Sequence, residues 1–113
     1  NNPYPPFVSC LDTLQKKYNL HYGLSDYWNA KHTRYLAHNG LIVNQVFTNL
    51  EKYDWIHNRD WYNKDKDGKP INYNFIIQER LDREIIARRF GLPEIREQCE
   101  GKEILIYEKG FSY

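Results

Sequence analysis

The sequence predicts an α/β domain built on a single mixed sheet of about four strands with three helices. Three observations lead there. Helix signals recur near residues 9–19, 26–39 and 82–90, short β-rich runs lie between them, and the two kinds alternate along the chain, which a sheet covered by helices buries best. A length of 113 residues with 41% hydrophobic and 16% aromatic content supports one such core and is too short for two. The domain is expected over 9–113. Residues 1–8 read as an extended linker, because Pro3, Pro5 and Pro6 fix φ and restrain the residues before them.

In the first helix, expected over 9–19, Ser9 offers an N-cap answered by Asp12, and Leu11, Leu14 and Tyr18 recur on one face. His21 to Leu24 is a short strand, after which Ser25 or Asp26 caps a second helix that places Trp28, Lys31 and Tyr35 on a common face and stops at Asn39-Gly40. Leu41 to Phe47 is rich in β-formers and is expected inside the sheet. The pattern is then lost from Thr48 to Asn72, a long loop ending in the turn Asp67-Gly68. Phe75 to Ile77 form a third strand. Asp82 caps a third helix with Leu81 and Ile86 as its hydrophobic staple, and Gly91-Leu92-Pro93 ends it. Ile104 to Tyr107, with no polar interruption, is the last strand and is expected to be covered on both faces. Right-handed β-α-β crossovers leave two architectures, a split β-α-β ferredoxin-like sheet or a small open sheet with helices on both faces.

Charge and composition narrow the function. Sixteen Lys and Arg against fifteen Asp and Glu give a net charge of +1, too little to neutralise many phosphates, so nucleic acid is not an expected partner. The longest run without Asp, Glu, Lys or Arg, residues 35–50, contains His38, Asn39, Asn44 and Asn49 and is no membrane span. The chain begins at Asn1 and contains no Met, which suggests a piece of a longer protein. Its two cysteines, Cys10 and Cys99, either pair across nearly ninety residues or pack reduced as small apolar groups.

No compact catalytic motif is present: there is no GxSxG, HExxH or GK[ST] phosphate loop. His21, His32, His38 and His57 lack ligand spacing. Asn63, Asp65, Asp67 and Gly68 match the start of a calcium loop, but Pro70 and Asn74 stand at its eighth and twelfth positions, so the segment reads as a solvated turn. Neither a metal nor a cofactor is expected. Two aromatic-polar groups remain, Asp26, Tyr27 and Trp28 in one and His57, Arg59, Asp60, Trp61 and Tyr62 in the other. Flat rings cover apolar ligand faces while carboxylates, amides and Arg hydrogen-bond hydroxyls or pair with phosphate. The same rings can instead form a satellite core that pins the long loop, or anchor a protein partner.

Three segments carry a family resemblance: Cys10-Leu11-Asp12 with residues 22–30 (YGLSDYWNA), residues 55–62 (WIHNRDWY), and Asn74-Phe75-Ile76-Ile77 with Phe90-Gly91-Leu92-Pro93. Together the chain resembles the soluble C-terminal extracytoplasmic domain of uncharacterised bacterial polytopic membrane proteins, which are similar in layout to GT-C-type glycosyltransferases. The resemblance implies an extracytoplasmic, periplasmic or cell-surface location and therefore a Cys10–Cys99 disulfide. It also implies an accessory role beside the membrane-embedded part of the parent chain, with a glycan or lipid-linked sugar as ligand. In such enzymes the catalytic carboxylates usually lie between membrane spans, so no catalytic residue carries over.

Two other classes of function compete with that implication. One is a small stand-alone enzyme using Asp26, His57, Arg59 and Asp60 where the long loop meets the strand ends. The other is a protein-interaction module anchored by the aromatic loop.

Overall fold

A five-stranded mixed sheet with helices on both faces is the framework of the computed structural model, which describes residues 4–53 and 60–113. In chain order the elements are α1 (Pro6–Tyr18), β1 (Tyr22–Ser25), α2 (Tyr27–Thr33), a 3-10 helix over Arg34–Asn39, β2 (Ile42–Gln45), β3 (Tyr73–Ile77), α3 (Arg83–Phe90), β4 (Ile95–Cys99) and β5 (Lys102–Phe111). The strands lie in the order β2-β1-β3-β5-β4. β1 pairs in parallel with both β2 and β3, whereas β5 runs antiparallel to β3 and β4. Three adjacent parallel strands exclude the ferredoxin-like alternative and leave the small open sheet.

Alternation along the central strands divides the core in two. Phe75, Ile77, Ile104 and Ile106 face α1 and the 3-10 helix, packing with Phe7, Val8, Leu11, Leu14 and Leu36. Tyr73, Ile76, Leu105 and Tyr107 face the other way, where α3 and the long loop supply Ile86, Leu50, Tyr62 and Ile71. The register shift between Tyr73 and Phe75 lets Tyr73 share a face with Ile76. Gly23 lies opposite Phe75, and a Cβ there would overlap the Phe75 ring.

Local chemistry explains the boundaries. Asp82 accepts from the N–H groups of Glu84 and Ile85 (2.9 and 3.1 Å), and Leu81 and Ile86 meet in one cluster as the expected staple. α1 starts earlier than the Ser9 cap implied. Pro6 occupies its first turn, Pro5 stands at the cap position, and the Ser9 N–H donates to the Pro5 carbonyl (2.9 Å). Asp12 pairs with Lys16 instead (3.1 Å). Phe7 and Val8 therefore belong to the core, and α1 begins ahead of residue 9.

Two strand expectations are corrected. The Leu41–Phe47 run is an edge strand, because apolar residues on both sides of a strand report that its faces are covered and say nothing of its flanks. Val43 packs into one cluster and Val46 into the other. The sheet also has a fifth strand, β4, whose sequence IREQC alternates burial only weakly. It joins β5 through Glu100-Gly101, both at positive φ (50° and 77°), the geometry of a two-residue hairpin turn.

Cys10 on α1 and Cys99 at the end of β4 form a disulfide, with Cα atoms 5.7 Å apart. A persistent disulfide fits a non-reducing environment. Beside it, the Tyr18 hydroxyl donates to Glu97 (2.5 Å) and Lys17 lies 3.5 Å from the same carboxylate. The Tyr18 hydrogen bond, aided by the Lys17 charge, holds the Glu97 carboxyl below its usual range. A lowered folded-state value gives stability that is present above the unfolded-state pKa, about 4.3 for Glu, and is lost as pH falls through the folded one. Tyr18→Phe is expected to raise the Glu97 pKa and to flatten the loss of stability in acid. An NMR titration of the carboxylate, with urea melts at pH 7 and pH 3, checks both.

Candidate functional site

The second helix presents two faces with different tasks. Asp26 caps it by accepting from the Asn29 N–H (3.0 Å), and buried Asn29 and Thr33 turn toward the sheet. Tyr27, Ala30, Lys31 and Arg34 follow at i, i+3, i+4 and i+7 and so share one side. That side faces the 60s segment of the long loop across the edge strand. Between them lies a cleft of about 320 Å³, lined by Tyr27, Ala30, Lys31, Arg34, Val43, Asn44, Gln45, Trp61 and Tyr62.

Buried hydrogen bonds fix the loop wall. The Tyr62 hydroxyl donates to the Gln45 carbonyl (2.7 Å) and accepts from the Tyr53 N–H (3.3 Å). The Tyr73 hydroxyl donates to the Tyr62 carbonyl (2.7 Å) and accepts from Asn44 Nδ2 (2.9 Å). Burial pushes both phenol pKa values up, so each stays a neutral donor. Tyr113 packs on Tyr62 and its hydroxyl donates to the carbonyl of Leu50, a residue at φ 69° that Arg89 also clamps (3.1 Å).

Among the described lining residues there is no carboxylate, histidine or thiol, while Lys31 and Arg34 supply two cations. Lys31 Nζ lies over the Tyr27 and Trp28 rings, 6.0 and 5.7 Å from their centroids. Tyr27 and Trp61 are each nearly half exposed. The arrangement suits an anionic ligand with a flat or extended body.

A second polar group fills the carboxyl ends of β1 and β3. From β1 the chain turns to the face of α2, and from β3 to the face of α3, so this is the switch point where α/β sheets commonly hold ligands. Here it is occupied by the protein's own side chains. Asp26 accepts from Asn29 Nδ2 (2.8 Å) and pairs with Arg80 (3.0 Å), and Glu79 accepts from the same Asn29 nitrogen (3.1 Å). Lys102 donates to Asn29 Oδ1 (2.8 Å) and lies 3.4 Å from Glu79. Two carboxylates, two cations and a fully buried amide satisfy one another.

Of the residues singled out by sequence, Tyr27, Trp61 and Tyr62 meet in the cleft. Trp28 stands beside it against Tyr27, ring centroids 5.8 Å apart, and Asp26 belongs to the switch-point network. Asp60 accepts from Asn63 Nδ2 (2.8 Å) within its own turn. His57 and Arg59 lie outside the described residues. The 63–68 segment is a turn, with Asp65 Oδ1 accepting from the N–H groups of Asp67 and Lys69 (both 2.9 Å). Sequence reasoning missed Lys31, Arg34, Asn44 and Gln45 among the polar cleft residues. The helical spacing from Tyr27 would have found Arg34, whereas the strand residues gave no such signal.

No protein-family model, curated protein or solved structure matches this chain. No described helix is long and apolar enough to cross a membrane, and no three His, Cys, Asp or Glu side chains among the described residues group to hold a metal ion.

Proposed function

We propose that this domain is a non-catalytic recognition module of a bacterial membrane protein, working on the extracytoplasmic side and taking a glycan or lipid-linked sugar in the Tyr27–Trp61 cleft. The observation that carries this reading is a cleft whose described walls offer rings, amides and two cations but no carboxylate, histidine or thiol. Binding without chemistry is what such a lining supports. The disulfide fits the same side of the membrane.

The test is an NMR titration with neutral and acidic oligosaccharides, following the Trp61 indole and the backbone amides of Lys31 and Arg34. Saccharide binding at these signals that Trp61→Ala abolishes is the expected result. Conversion of the added sugar, or no response to any of them, overturns the reading. A parent reading frame without membrane spans would remove the membrane-protein assignment on its own.

One observation favours protein docking as a second reading: the floor of the cleft is the outer edge of β2, and among the described residues β2 pairs with β1 alone.

A further inference from the structure

The edge of β2 has a defined polarity. The Ile42 N–H donates to the His21 carbonyl and the Val46 N–H to the Ser25 carbonyl, both at 2.8 Å. In a ladder with a neighbour on one side, alternate residues turn both backbone groups toward it. Ile42, Asn44 and Val46 therefore face β1, and Val43 and Gln45 face outward. Tyr62 reports the same parity, since its hydroxyl reaches the Gln45 carbonyl from the outer side. Among the described residues, what remains unpaired on this edge is the Val43 N–H, the Val43 carbonyl and the Gln45 N–H, on the floor of the cleft.

An open strand edge is a template for another strand. Proteins commonly blunt such edges with charge or cover them, and the charges among the described lining residues are of one sign only. Lys31 and Arg34 stand on the α2 wall, and the described lining holds no carboxylate to balance them. Arg34 is exposed and has no hydrogen-bond or ion-pair partner among the described residues. A sugar would use the rings and cations and could meet these backbone groups singly, without needing their strand spacing. An extended polypeptide uses all of them.

We infer that the cleft binds an extended acidic polypeptide segment, which adds to the outer edge of β2 as a sixth strand through Val43 and Gln45 and pairs its carboxylates with Lys31 and Arg34. The inference rests on the reading of this cleft as a recognition site and develops its second, protein-docking form; the glycan form is the alternative that the experiment separates from it. Tyr62 ends the added strand by capping the Gln45 carbonyl. The half-exposed rings of Tyr27 and Trp61 cover side chains on the two faces of the guest.

The experiment uses the ¹⁵N-labelled domain and an acetylated, amidated heptapeptide of alternating glutamate and valine, with a lysine-valine heptapeptide as control. On saturation with the acidic peptide the Val43 and Gln45 amides should gain at least about tenfold protection from hydrogen exchange, as paired strand amides do. The basic peptide should not protect them. Combined Lys31→Gln and Arg34→Gln, both surface changes, should weaken binding about tenfold. Gln45→Pro removes one outward N–H without touching the β1 ladder and should abolish it.

Peptide binding without protection of these two amides overturns strand addition, as does equal binding of both peptides. If only an acidic oligosaccharide perturbs Trp61 and Arg34, strand addition fails while the recognition reading stands. If neither ligand perturbs the cleft, both fail. Protection of Val43 and Gln45 in the peptide-free protein, together with a dimer by sedimentation, would overturn the acidic segment in favour of a second copy of this chain.

Discussion

Replacing Cys10 and Cys99 by alanine is expected to cost about 4–5 kcal/mol of unfolding stability and to lower the melting temperature by about 20 °C. The bond closes a loop across 89 residues of sequence separation, and a cross-link that long removes most of its entropy from the unfolded chain. It joins α1 to the edge strand β4, beside the Tyr18–Glu97 hydrogen bond and the Lys17–Glu97 ion pair. Cys99 is fully buried, so its loss also leaves a small void in the core cluster that includes Leu11 and Ile104. Guanidinium melts of the wild-type protein with and without dithiothreitol, beside the double alanine variant, measure the effect. Equal midpoints for oxidised and reduced protein would show that the bond contributes nothing to stability.

Gly23→Ala is expected to cost about 3 kcal/mol, the upper end for overpacking, because the added methyl meets a ring that cannot leave. Phe75 is fully buried in the central strand, and its ring occupies the space that a side chain on the neighbouring β1 residue would take. The strand partner with no side chain is thus what allows an aromatic at the centre of the sheet. Phe75→Leu alone leaves a partial void. The double variant should recover at least about 1 kcal/mol relative to the sum of the single changes, since each relieves the other. Urea denaturation of the four proteins gives the coupling. A Gly23→Ala protein within about 0.5 kcal/mol of wild type, the range of a neutral surface change, would show that the ring yields freely.

The parts of the fold read from sequence were those with a local physical signal. Asp82 with Leu81 and Ile86, the Gly40 and Gly91 stops, and the unbroken apolar run of β5 depend on neighbours a few residues away. The edge position of β2 was not legible, because strand order depends on crossovers that leave no mark in the strand itself. β4 was hidden by its composition, where exposed Arg96 and Gln98 alternate with the half-buried Ile95 and Glu97 and the pairing partner supplies the stability. The start of α1 was misjudged because a plausible cap at Ser9 masked the Pro6 start. At the site, Tyr27, Trp61 and Tyr62 drew attention as aromatics, yet Tyr62 is buried and acts through its hydroxyl. The Asp26, Asn29, Glu79, Arg80 and Lys102 network spans more than seventy residues of sequence, and only folding brings it together.

The disulfide also changes what a break in the chain means. From residue 10 to residue 99 the polypeptide is a covalent ring with two tails, and the Lys64, Lys66 and Lys69 turn is an exposed stretch within it. A trypsin-like cut at that turn opens the ring without releasing a fragment. Both pieces migrate as one molecule until a reductant is added. In a protease-rich, non-reducing setting, such a nick leaves the sheet's two halves tethered at the concentration of a single chain. Loss of the loop's continuity and loss of the domain are then separate events.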